Sequence, residues 1–306
     1  MPSVLPRHAA ATLVEAGGRG SVATVRFNNE GRYLVSGGSD RRLRLWSAAS
    51  GSLAKAYVGH TAGINDASFS GANDRIASGG GERLVYVWDV SRDEPTAKLR
   101  GHQDAVSAVQ FTAGDNVLVS GSHDATVKFW DLRSLRSAAP LQTLTAATDA
   151  IVEISVRDTL VHTASLDGFL RTYDIRKGTL VEDCLGVPLC SFAVSADGRL
   201  NLVAGADDGL RLFDASSGCL LKNFAGYDAA GCVVQCGFAP SGDYVFSGSL
   251  SGEVVFWNLL TGMQCLTLTC GEGNSVVPAV DYNPRECMVA AGCSDGTVRI
   301  FSTPSQ

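Results

Sequence analysis

An aromatic residue returns along this chain at an almost constant interval: Trp46, Trp88, Trp130, Tyr173, Phe213, Trp257 and Phe301 are separated by 42, 42, 43, 40, 44 and 44 residues. Few architectures have that period. Four short antiparallel strands with their turns consume roughly 40–45 residues, which is one blade of a β-propeller. All four tryptophans of the 306-residue chain fall on these positions. Six residues before the aromatic stands an acid in six of the seven repeats (Asp40, Glu82, Asp124, Asp167, Asp207 and Asp295), and only the sixth repeat departs, with Ser251. Period-two alternation in Val22–Phe27 and Ala105–Phe111 marks half-buried strands.

The expected fold is therefore all-β, a single seven-bladed propeller over residues 1–306, with blades at about 21–60, 61–102, 103–145, 146–186, 187–230, 231–273 and 274–306. The last repeat stops soon after its third strand, Gly296–Phe301. The alternating segment 7–15 is expected to supply the missing outer strand, closing the ring and removing an exposed edge.

A hydrophobic content of 45% supports a full core, and many of the 34 glycines mark turns such as Asn28–Gly31 and Ser195–Gly198. The net charge of −6 argues against a general binder of nucleic acid or membrane surfaces, which needs positive potential. No direct DNA contact, no membrane and only indirect association with RNA are expected. The nine cysteines all lie between Cys184 and Cys293, without a C-x2-C pair or clustered histidines. They are expected to be small apolar residues of a reducing compartment, with no metal and no cofactor. The first residues lack the apolar run of a signal peptide, so a cytoplasmic and nuclear protein is expected.

In blade three, His102, Ser120, Asp124 and Trp130 stand where WD40 repeats, which this motif resembles, build a hydrogen-bonded structural tetrad. A histidine, serine and aspartate together also suggest a hydrolase, but the motif recurs in part around the chain and the serine has no nucleophile elbow. Blade two has His60, Ser78 and Trp88 with Glu82 in place of Asp; blade one has Ser36, Asp40 and Trp46 but no histidine. The loose match Gly18-Arg-Gly20 leads into a strand rather than a helix, so it lacks the physics of phosphate binding. No catalytic residue is assigned, and the chain is expected not to be an enzyme.

By the WD40 resemblance, the loops around the Gly-His turns and around the acid before the aromatic strand share the face that receives partners. They carry Arg19, Arg41, Arg42 and Arg83 in blades one and two, against Asp149, Asp167, Asp207, Asp208, Asp228 and Glu272 further on. The arginines are expected to grip an acidic peptide or a phosphate, with Phe169 and Tyr227 as aromatic anchors. Trp130, Asp131 and Arg133 form a W-D-x-R sequence, repeated in part at Tyr173–Arg176. It resembles the box by which some WD40 proteins dock on the adaptor of cullin-4 ubiquitin ligases.

Val25–Asn28, Gly79–Glu82 before Val87–Val90, Arg100–His102 with Val109–Phe111, Gly168–Arg176 and Val255–Trp257 together resemble the mitogen-activated protein kinase organiser family of WD40 proteins. The resemblance covers about residues 13–300; Glu82, Ser251, Asn258 and the regular turn Ser294–Gly296 depart from the pattern. It implies a non-catalytic scaffold that binds other proteins, among them splicing or kinase-module components, as a monomeric subunit of larger complexes.

Overall fold

The computed structural model describes residues 5–14, 20–133, 139–229, 231–270 and 275–303. The described residues form seven four-stranded antiparallel sheets, the blades of an all-β propeller. In blades one to six the strands follow one another in chain order across the sheet. The chain divides into two compact units, one of Met1–Ser36, Leu45–Lys55 and Cys190–Gln306, the other of Gly37–Arg44 and Ala56–Leu189.

The second unit holds blades two, three and four. Blade two runs Ile64–Phe69, Arg75–Gly80, Leu84–Asp89, Pro95–Arg100. Blade three runs Val106–Phe111, Val117–Ser122, Val127–Asp131 and a short outer strand, Gln142–Leu144. Blade four runs Ile151–Arg157, Leu160–Ser165, Phe169–Asp174 and Thr179–Cys184. Neighbouring blades meet through glycine on the second strand and a β-branched residue on the next blade's first strand. A Cβ at Gly79 would lie 2.4 Å from Val106 Cγ1, and one at Gly121 2.6 Å from Ile151 Cγ2, so the blade spacing requires a bare backbone there. Side chains stitch the same seams: Asp66 accepts the Val109 amide (3.0 Å) and Gln110 the Val156 amide (2.7 Å). The apolar core between blades two and three includes Val87, Leu99, Val106, Val109 and Trp130.

In the first unit, blade seven takes its outer strand from the other end of the chain. His8–Leu13 pairs antiparallel with Val298–Ser302, Leu13 opposite Val298 and His8 opposite Ser302, with an irregularity between Ala9 and Ala11. Leu13 is buried among Val22, Trp46, Met288 and Ile300, so the added strand contributes core as well as hydrogen bonds. The Phe27 amide donates to Asp281 across 2.7 Å, tying the first strand of blade one to blade seven.

Candidate functional site

Each blade makes a tight turn between its second and third strands, and the residue six before the aromatic, an acid in all but blade six, sits in that turn. The residue after it has positive φ in all seven blades: Arg41 (68°), Arg83 (66°), Ala125 (60°), Gly168 (84°), Asp208 (57°), Gly252 (81°) and Gly296 (87°). Three blades use glycine; the others place a side chain in a conformation that costs about 1 kcal/mol relative to glycine.

In blade three the order of donors can be traced from the tryptophan. Its indole N–H can only donate, and it donates to Ser120 Oγ (2.8 Å). The ionised Asp124 carboxylate can only accept, so His102 Nδ1–H donates to its Oδ2 (2.9 Å), and in the neutral ring Nε2 accepts the proton of the Ser120 hydroxyl (2.7 Å). Burial pulls the His102 pKa down, consistent with a neutral ring. Burial alone would push Asp124 up, but hydrogen bonds from Thr126, the Gln103 amide and His102 outweigh it and hold the carboxyl below its ordinary value. Ser120 is fully buried and its oxygen is already engaged twice, so it is not placed to attack a substrate. Blade two repeats the chain with Trp88, Ser78 and His60 (2.8 and 2.6 Å), ending on Glu82. The longer Glu82 side chain also accepts from the amides of Thr61 (3.1 Å) and Ala62 (2.7 Å), one residue further than Asp124 reaches.

Blades without the histidine hold their acid differently. An arginine four residues after the acid and two before the aromatic pairs with it: Asp40 with Arg44 (2.5 Å), Asp167 with Arg171 (2.8 Å), Asp207 with Arg211 (2.5 Å) and Asp295 with Arg299 (3.7 Å). Arg171 is the most enclosed, bridging Asp167 and Glu182 (2.7 Å) with its guanidinium 4.9 Å from the Phe169 ring. Burial would raise Asp167, but the amides of Thr148 and Phe169 and the Arg171 guanidinium overcome it and lower its pKa. The signal of this pairing in the sequence, not among the expectations above, is D-x3-R-x-aromatic, which stands in all four blades. Blade six has neither device. Its Ser251 bonds Ser249 (2.7 Å), and Trp257 donates to the Ala225 carbonyl (2.8 Å).

The predicted partner-binding residues separate. Arg41, Arg42 and Arg83 are exposed, and Phe169 is half-buried beneath Arg171. Tyr227 is a correction: only 7% exposed, it packs with Leu210, Phe224 and Trp257, because the apolar body of a loop aromatic is best buried where a core cluster lies alongside. Arg19 and Glu272 lie outside the described residues. Arg133 places Nε and Nη2 on the two oxygens of Asp131 (2.9 and 2.8 Å), holding that carboxyl at about 2 while the arginine stays exposed.

Seven four-stranded sheets, each marked by an aromatic on its third strand and six by an acid in the preceding turn, define a WD-repeat propeller. The family model "WD domain, G-beta repeat" matches residues 11–47, 51–89, 93–131, 218–258 and 263–302. The chain is 48% identical over 275 residues to "WD repeat domain-containing protein 83" of Rattus norvegicus, covering 90% of this chain and 86% of the relative. It is 47% identical over 275 residues to the Homo sapiens protein of that name, with the same coverage. A Schizosaccharomyces pombe relative, "Uncharacterized WD repeat-containing protein C713.05", is 46% identical over 275 residues, 90% of this chain and 92% of its own length. The chain belongs to the WD-repeat proteins, in the family of WD repeat domain-containing protein 83.

Proposed function

We propose that this chain is a non-catalytic scaffold that holds other proteins together, as a monomeric subunit of pre-mRNA splicing complexes, of mitogen-activated kinase modules, or of both, in cytoplasm and nucleus. One observation carries the reading. The histidines, serines and acids that could do chemistry in blades two and three are spent on one another, and Ser78 and Ser120 are fully buried. What remains for function is the surface of the turns, which differs from blade to blade as partner-specific chemistry would. Purification of the tagged chain from cytoplasmic and nuclear extracts, with identification of the bound proteins, tests it. Recovery of splicing or kinase-cascade components supports the assignment; a partner-free chain in both fractions contradicts it.

A second reading, a substrate receptor of a cullin-4 ubiquitin ligase, is favoured by Arg133. Its side chain is 68% exposed yet fixed in direction by Asp131, as a docking arginine needs to be. Co-purification of the ligase adaptor that is lost in Arg133→Asp supports this reading; absence of the adaptor from the unaltered protein removes it.

A further inference from the structure

We infer that Arg41 and Arg83 form a two-arginine receptor for a phosphorylated peptide; the inference rests on the scaffold reading and names one kind of partner for it. The two residues hold the same place in adjacent blades, first after the acid of the turn, and both are exposed. One loop joins their turns. A Cβ on Gly63 would lie 3.4 Å from Ser39 Cα, two residues before Arg41, while the Gly63 carbonyl accepts the Gly81 amide (3.0 Å), two residues before Arg83. Glu82 braces that loop through the amides of Thr61 and Ala62.

The neighbouring acids are engaged by other partners. Asp40 is taken by Arg44, and Glu82 by His60 and the two amides. Neither Arg41 nor Arg83 has an ion-pair partner among the described residues. Folding gains nothing evident from a long cation at a left-handed position where blades four, six and seven use glycine and blade three alanine, and two exposed arginines repeated there in adjacent blades point to a role outside the fold. Exposed Arg42 adds positive charge beside Arg41. Two guanidinium forks on turns joined by a braced loop suit a phosphate dianion, which each can engage through paired N–H donors.

The test uses the full-length protein and a fluorescent peptide library with one fixed phosphoserine or phosphothreonine in otherwise degenerate sequence, beside the same library unphosphorylated and a single-stranded RNA of equal charge. The phosphorylated pool is expected to bind best. Arg41→Gly with Arg83→Gly should weaken it by roughly tenfold or more, with the thermal midpoint unchanged or higher because glycine suits the turn. Arg199→Gly, an exposed arginine in another blade, should leave binding as it was. Equal binding by the double variant, preference for RNA, or no preference for phosphate overturns the inference. If the double variant keeps the full partner set in extract purifications while the phosphopeptide does not bind, this receptor is refuted and the scaffold reading stands.

Discussion

Blades three and four fix the same turn by different chemistry. In blade three a chain of hydrogen bonds runs from Trp130 through Ser120 and a neutral His102 to Asp124; in blade four Arg171 bridges Asp167 and Glu182 as an ion pair. The first needs the indole N–H to start it. Tyr173 has none, and the hydroxyl of Thr163, at the position of Ser120, is buried without a hydrogen-bond partner among the described residues. In blades four, five and seven, where the aromatic is not tryptophan, an arginine on the third strand holds the acid. Blade one is a hybrid: Trp46 keeps its bond to Ser36 (2.8 Å), and Arg44 holds Asp40.

This contrast can be broken or sharpened by substitutions. Arg171→Met should have the largest effect, about 3 kcal/mol of lost stability in urea unfolding, because it strands a buried carboxylate. A loss below about 1 kcal/mol would mean the backbone amides hold Asp167 unaided. Acid should cost blade four nearly as much through His162, which burial, with Arg157 nearby, pulls down to about 4. Its folded pKa lies below the unfolded value near 6.5. The unfolded chain therefore binds the extra proton in that window: the contribution is complete above pH 6.5, falls as pH drops towards 4, and is about 3 kcal/mol in all. In His162→Gln that part of the pH slope should disappear from unfolding curves taken across the window. Ser120→Ala leaves both Trp130 Nε1 and His102 Nε2 unpaired, for about 2 kcal/mol by the same assay. Arg211→Met should be smallest, under about 1 kcal/mol and vanishing in high salt, since Arg211 and Asp207 are 27% and 38% exposed.

The parts legible in the sequence were those set by a repeated spacing. The aromatic interval counts strands, and the segment before the first repeat carries the alternation of a strand that pairs with Val298–Ser302. The arginine clamp is equally periodic, but against the pattern of the histidine tetrad the missing histidine looks like decay rather than replacement. The spacing from Asp167 to Arg171 to Tyr173 holds the correction. Tyr227 could not be placed from spacing, because its burial depends on the packing of Leu210, Phe224 and Trp257 around it. The left-handed turn at Arg41 and Arg83 was also hidden, since arginine carries none of the signal that glycine gives at Gly168 or Gly296.

The equivalence of the two devices is tested most directly by a double-mutant cycle on Asp167 and Arg171, using Asp167→Asn and Arg171→Met in urea at low and at 1 M salt, beside the same cycle on His102 and Asp124 with His102→Gln and Asp124→Asn. The account predicts coupling of at least about 1 kcal/mol in both pairs, with the enclosed Asp167–Arg171 term surviving the salt. Coupling indistinguishable from zero between Asp167 and Arg171, with His102 and Asp124 still coupled, would contradict it.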